Sequence, residues 1–376
     1  MIRFSFSSLY MAILFSNLLI LLLYLVFRSR KLLVSIGLPS LTAVLCIAIL
    51  RMVFPIELLF LSRNIYLPEV LSCCISFLLH PCFFGGRFSI WSFLKVIWGT
   101  GIVISLFLYV KRERAFAKYL RISVRELPDS SDAIRILREI QQEIPQTQRI
   151  QLRTLSGLPS PSIYGFFRPC ILLPEELSLD QEQLGFILRH EVTHFVHHDL
   201  YKKLGMQLLC ILYWWNPLCH NLLRQVDAVL EMQVDQKIAL QPEQKLNYLN
   251  CLLKIARQPD RSLCTASMIS FCDSPYSPLR QRVDMLIHEE ETGYSKRQKH
   301  CLLLALILLF LLSYVYIFEA SSISNEEAAG SVEPTAENSY FIKREDGQYD
   351  FYLNGKYTGI ADSLEYYPDD IPIYER

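Results

Sequence analysis

Charge of one sign is what this sequence most plainly lacks. Its 376 residues carry 37 Lys and Arg against 37 Asp and Glu, so the formal net charge is zero. No global basic field points to nucleic acid as a direct partner. Charge of either sign is scarce, at 20% of residues, while 52% are hydrophobic. That excess of apolar side chains is more than one soluble core needs, which puts a membrane first among the explanations. Paired cysteines are missing too. The eleven cysteines form no CxxC motif, and Cys46, Cys73, Cys74, Cys210 and Cys301 lie in apolar runs, where free cysteine acts as a small hydrophobe. This pattern argues against a disulfide scaffold and against a zinc ribbon. The first apolar run is preceded only by Arg3 and followed by no small-residue cleavage site, so it reads as a retained helix rather than a signal peptide. No internal repeats occur.

What is present is a set of four apolar segments long enough to span roughly 30 Å of hydrocarbon. They are Leu9–Phe27, Leu32–Leu50, Ile90–Val110 and Leu302–Phe318. Basic residues set their orientation. Arg28, Arg30 and Lys31 follow the first span, Lys111, Arg112 and Arg114 follow the third, and Lys296, Arg297 and Lys299 precede the fourth. All three clusters fall on the cytoplasmic side if the N-terminus is outside. The expected organisation is a membrane region over 1–110, a cytoplasmic domain over 111–300 and a fourth span over 301–318. A flexible linker over 319–338, rich in Ser, Glu, Ala and Pro, then leads to a small outer β-meander over 339–376. Two shorter apolar stretches fit this count less simply. Val70–Phe83 contains His80 and Pro81 and suits an interfacial or re-entrant segment. Met206–Trp215, ending in Trp214-Trp215-Asn216-Pro217, suits either a core helix or a surface pressed against the bilayer.

The meander rests on three alternating runs, Ser339–Arg344, Gln348–Leu353 and Lys356–Ile360. They are separated by Asp346-Gly347 and Asn354-Gly355, strong hairpin signals. Tyr340, Phe341, Tyr349, Phe351, Tyr352 and Tyr357 read as exposed aromatics that need a partner surface, because so small a sheet is marginal alone.

The chemistry concentrates in His190-Glu191-Val192-Thr193-His194. Histidines four apart project from one face of a helix, as zinc ligation requires, and the glutamate beside the first can take a proton from a zinc-bound water. Ser178 or Asp180 can cap the helix, and Leu184, Ile187, Leu188, Val192 and Phe195 give it an apolar stripe. A third ligand must come from elsewhere. His197 lies three residues on, whereas Leu200 occupies the position where a longer HExxHxxGxxH site would need histidine. Glu231, on a helix predicted over Asn221–Ile238, is the better candidate. Asp235 stands one turn beyond it, placed to accept a hydrogen bond from a ligand imidazole. Asp227 shares that face.

In this order the motifs resemble the BlaR/MecR-type membrane metallopeptidases, bacterial antibiotic-sensor transducers. The resemblance is carried by His190–His194, Asp199, Trp215-Asn216-Pro217, and Glu231 with Asp235. The Pro161–Pro169 strand and Arg51-Met52-Val53-Phe54-Pro55, similar to a first outer loop, add to it. It covers about residues 1–290. It implies a mainly α membrane protein with a zincin-like α+β metallopeptidase domain in the bacterial plasma membrane. It implies Zn²⁺ held by His190, His194 and Glu231, Glu191 as base, and Asp235 and Asp199 in support. A substrate strand would pair at Ile171–Leu173. The implied activity is regulated proteolysis, with a winged-helix transcriptional repressor or the chain itself as protein substrate, membrane lipid as neighbour and a homodimer as an assembly to test. A housekeeping membrane protease and a non-catalytic zinc-binding receptor are the alternatives. The sequence departs from the antibiotic sensors in its last 58 residues, 319–376, which carry no Ser-x-x-Lys, so β-lactam acylation is not expected.

Overall fold

The computed structural model describes residues 2–3, 6–55, 57–58, 63–66, 77–78, 81–83, 88–176, 178–238, 242–256, 279–288, 296–319, 335, 338–343, 348–353, 355–361, 364 and 371–375. Most of the expected segment Val70–Phe83 therefore lies outside the described residues, as do most of the linker and the Asp346-Gly347 turn. The described chain is mostly helical.

Helix α1, Phe6–Arg28, matches the first apolar run. Ala12, Phe15, Leu19, Leu23 and Phe27 recur at helical spacing and are buried, while Leu14, Leu18, Leu21, Leu22 and Leu25 are exposed. A helix apolar on every side thus has one face packed in the protein and one exposed. The second run is not one straight helix. It breaks at Gly37 into α2, Arg30–Ile36, and α3, Leu38–Val53, bent by 92°. Gly37 takes φ 77°, a conformation that glycine adopts without steric cost, and Pro39 opens the next helix. Arg51, Met52 and Val53 still belong to α3 rather than to a loop.

Helix α4 covers Ile90–Ser123. Its 34 residues give about 51 Å of helix at 1.5 Å per residue, longer than the roughly 30 Å of a bilayer's hydrocarbon, and its charged residues Lys111–Arg121 gather toward one end. Strand β1 (Val124–Glu126), helix α5 (Asp132–Glu143) and strands β2 (Gln151–Leu155), β3 (Ser162–Tyr164) and β4 (Cys170–Pro174) follow. The sheet order is β1-β2-β4-β3, with β2 and β4 parallel and both outer pairings antiparallel. Alternation sorts the faces of β4. Ile171 and Leu173 join Leu137 and Ile140 of α5, whereas Leu172 meets Phe116 and Leu120 at the far end of α4. Because β4 is paired on both sides, Ile171–Leu173 cannot accept an added substrate strand. That expectation is corrected.

Three helices build the rest of the centre: α6 (Gln181–Val196), α7 (Asp199–Leu212) and α8 (Pro217–Ile238). The Asp180 carboxylate accepts from the Gln183 amide at 2.8 Å and starts α6. His198, at φ 58°, turns the chain into α7. Helix α8 then packs against α1 and α3, and Phe15, Leu19, Leu41, Leu45, Leu222, Val229 and Met232 share one core. The first helices and the later ones are therefore continuous in packing across the sequence division at 110.

The turn between α7 and α8 lies deep in this bundle. The Asn216 amide donates to the Asn17 side-chain oxygen at 2.9 Å, and Asn17 is the midpoint of the 23-residue α1. The Tyr213 hydroxyl donates to the Met52 carbonyl at 3.0 Å, and the Trp214 indole to the Trp98 carbonyl at 3.2 Å. A Cβ on Gly101 would come within 2.1 Å of the Trp214 ring, so α4 needs glycine there. Within Met206–Trp215, Met206, Leu209, Cys210 and Tyr213 are core residues, while Leu208, Leu212 and Trp215 face outward.

Helix α9 covers Pro242–Ala256 and α10 covers Leu279–Ile287. Helix α11, Lys296–Val315, stops short of the expected Phe318, because Tyr316–Glu319 is extended. Arg51, fully buried, ties α3 to α11. Its guanidinium donates to the Ser313 carbonyl at 3.1 Å and stacks over the Tyr314 ring at 4.1 Å.

The tail belongs to the second of two compact units. Strands β5 (Ser339–Lys343), β6 (Tyr349–Leu353) and β7 (Lys356–Ala361) run antiparallel, with Gly355 at φ 75° in the second turn. A fourth strand, β8 (Ile373–Glu375), lies parallel to β5. Phe341 and Phe351 are not exposed as expected. They pack with Ile371 into a small core, while Tyr340 stacks on Tyr352 at 5.0 Å.

Candidate metal centre

Helices α6 and α8 cross so that three buried side chains converge: His190, His194 and Glu231, each offering a donor atom within 4.8 Å of the others. The two histidine Nε2 atoms are 3.1 Å apart. Glu231 Oε2 lies 3.1 Å from His190 Nε2, and Oε1 lies 3.2 Å from His194 Nε2. The spacing of four residues on α6 brings the imidazoles to one face, and the apolar stripe of Ile187, Leu188 and Val192 holds that helix against the sheet.

What stands behind each imidazole fixes its tautomer. His194 Nδ1 donates to the Asp199 carboxylate at 2.8 Å, and Lys202 bonds the other oxygen of that carboxylate at 2.8 Å. His190 Nδ1 is 2.8 Å from the Tyr248 hydroxyl, which donates to Asp235 Oδ1 at 2.6 Å. A tyrosine has one hydroxyl proton, so if Asp235 receives it the oxygen must accept from His190 Nδ1–H. Both rings then keep their Nε2 lone pairs for the point where Glu231 also aims its charge. Three electron-pair donors with no proton among them need a cation. The donor set is of the kind zinc takes, two imidazole nitrogens and a carboxylate oxygen.

Electrostatics say the same. Burial works against a charged His194, but the Glu231 charge and the bonds to Asp199 and Glu231 outweigh it and push its pKa up to about 10. In the metal-free chain a proton supplies the positive charge the cluster demands. Burial likewise favours a neutral Glu231, yet His194 and Arg282 hold its carboxyl well below the usual range. For Asp199, burial is again outweighed, here by the bonds from His194 and Lys202, and the carboxyl is lowered.

The other candidates fall as follows. Glu191 is buried and lines one cleft with His190, His194, Glu231 and the residues Pro161, Ser162 and Ile163 of the β3 region. His197 sits outside the convergent trio, at the end of α6 beside Lys237, and burial followed by that cation lowers its pKa. Asp227 also stays outside it, 3.9 Å from Lys203. Asp235 was expected to bond a ligand imidazole directly. The direct separation is 3.6 Å, and Tyr248 stands between. Two residues here went unnoticed in the sequence. Tyr248 reads there as one more apolar position of α9. Arg282 lies 47 residues beyond Asp235, yet its guanidinium grips that carboxylate at 2.7 and 2.6 Å. No spacing signal connects either to the motif.

Comparison with known proteins places this geometry among relatives. The chain is 25% identical over 188 residues to "Regulatory protein BlaR1" of Bacillus licheniformis, covering 49% of this chain and 31% of the relative. It is 21% identical over 165 residues to "Methicillin resistance mecR1 protein" of Staphylococcus aureus and of Staphylococcus epidermidis, covering 43% of this chain and 28% of those proteins. The matched stretch thus spans under a third of each relative's length. The BlaR1 peptidase M56 profile matches residues 80–286, more than half of the chain and all of α4 to α9. On that match the chain belongs to the BlaR1 peptidase M56 family.

Proposed function

We propose that this protein is a zinc-dependent endopeptidase embedded in the bacterial plasma membrane, with its catalytic cleft on the cytoplasmic side. The convergence of His190, His194 and Glu231 in one cleft with Glu191 is the observation that carries the reading. In it His190, His194 and Glu231 hold the zinc, which when bound lowers the pKa of a water and polarises a carbonyl. Glu191 takes a proton from the attacking water and gives it to the leaving amine. Asp199 and the Tyr248–Asp235 pair keep both imidazoles in the ligating tautomer. The substrate chain lies along β3, whose residues line the cleft, rather than along the interior strand β4.

The membrane reading is supported by the apolar exterior of α1 and α4 and by the depth of the α7–α8 turn beside the midpoint of α1. The basic clusters after Phe27 and Val110 favour a cytoplasmic cleft and an outer tail. The substrate we favour is a cytoplasmic winged-helix repressor, with self-cleavage as a second event, because one relative is a regulatory protein by name. The test is to incubate the purified full chain with candidate repressors, with and without a chelator. Chelator-sensitive cleavage that disappears in Glu191→Ala is expected. Cleavage that survives the chelator, or that survives in Glu191→Ala, contradicts the reading.

A further inference from the structure

Helix α10 has two working faces, and neither belongs to the motif that marks the metal centre. Gln281, Asp284 and His288 recur at spacings of three and four along one stripe. All three meet the junction where α1 ends and α2 begins. The Gln281 amide donates to the Phe27 carbonyl at 2.8 Å, Asp284 pairs with Arg30 at 3.3 Å, and His288 lies against the same arginine. The neighbouring face turns the other way. Leu279, Val283 and Leu286 pack with Tyr248. Arg282 reaches between the carboxylates of α8, holding Asp235 through two bonds and lying 3.3 Å from Glu231 Oε2.

That fork acts on two of the three donors at once. It pairs its charge with Glu231, and through two hydrogen bonds it fixes Asp235, which accepts from Tyr248, which in turn accepts from His190. A planar guanidinium fork sets such carboxylates in one orientation, where a point charge would not. Without it, two buried carboxylates one helical turn apart on α8 would lose the cation between them, leaving Asp235 with the Tyr248 hydroxyl and Glu231 with the histidines and Lys203. His194 stands apart from this, since Asp199 and Lys202 hold it from α7.

We propose that Arg282 is a positioning residue for the metal centre and that α10 couples its placement to the α1–α2 turn at the membrane boundary. A short rigid helix bonded at one face to that turn carries Arg282 with it whenever the turn moves. Displacement loosens Glu231 and His190 and leaves His194 in place, so a change in the membrane helices becomes a change in metal affinity. The proposal rests on the ligand assignment above.

The experiment uses the full chain in lipid nanodiscs, with zinc affinity read by chelator competition and turnover read separately. Arg282→Met should weaken zinc binding by about ten- to a hundredfold, in the range typical of outer-shell partners of metal ligands. Arg282→Lys, which keeps the charge but not the fork, should recover part of that loss. The double variant Gln281→Ala with Asp284→Asn touches no donor, yet it should weaken zinc several-fold and lower kcat with KM unchanged. Wild-type affinity in Arg282→Met, or in Arg282→Lys should the methionine variant fail to fold, overturns the positioning role. Wild-type affinity in the double variant overturns the coupling. His190→Ala serves as the control: full zinc retention there would overturn the ligand assignment itself, and this proposal with it.

Discussion

The two histidines of the centre are steadied in opposite ways. His194 is held locally, since Asp199 lies five residues away across the turn at His198 and Lys202 is bonded to it within the same helix. His190 is held from afar, through Tyr248 on α9, Asp235 on α8 and Arg282 on α10, elements that only the tertiary fold assembles. Local support follows from helix geometry and survives wherever α6 and α7 form. Remote support exists only when four helices have docked, so it can report on their arrangement. One metal centre thus carries a fixed half and a conditional half.

The largest test of that division concerns Glu231, which faces both halves. Glu231→Gln should lower zinc affinity by at least a hundredfold, because a neutral amide leaves two imidazoles to do the work of three ligands. His197→Ala should change it by less than about threefold, a surface-type effect. Chelator competition on both variants checks this, and the reverse order would place His197 in the site.

Next come the supports themselves. Asp199→Asn should weaken zinc by about ten- to a hundredfold, since it removes the charge that orients His194. Tyr248→Phe should cost less. Asp235 is already 3.6 Å from His190 Nδ1 and can close that gap once the hydroxyl is gone. Equal losses in the two variants would erase the distinction between local and remote support.

A separate effect, on stability rather than on affinity, is a pH dependence of the metal-free chain. The pKa of His194 is raised to about 10 from 6.5. A raised histidine pKa contributes stability that is fully present below its unfolded value and is lost as pH rises through the folded one. Chelated protein should therefore melt at progressively lower temperature between pH 7 and pH 10. The zinc-bound form, whose ligand carries no proton, should not share that slope. Scanning calorimetry on both forms reads the difference.

Much of the local half was legible in the sequence, and the reason is periodicity. His190 and His194 share a face because four residues make one turn, and Asp180 caps the helix that carries them. Glu231 stood out because its one-turn spacing from Asp235 marks a single face of α8. The remote half was not legible. Nothing in spacing ties Tyr248 or Arg282 to α6, because their partners meet only in three dimensions. Hydropathy failed for a similar reason at Gly37. A window sums apolarity and is blind to φ, so a 92° bend read as a straight span. The depth of the α7–α8 turn was hidden because a ten-residue stretch is too short to signal a crossing, although Asn216 finds Asn17 halfway along α1. In the tail the two dipeptide turns predicted three strands, but β8 has only three residues, too short to show alternation.

The central claim is that His190, His194 and Glu231 hold one zinc and that Glu191 works beside it without ligating. The most direct measurement is the zinc content of the purified chain beside its peptidase activity in three variants. The account predicts about one zinc per chain in the wild type and in Glu191→Ala, with activity only in the former. It predicts neither zinc nor activity in the double variant His190→Ala with His194→Ala. Full zinc occupancy in that double variant, or loss of zinc from Glu191→Ala, would contradict it.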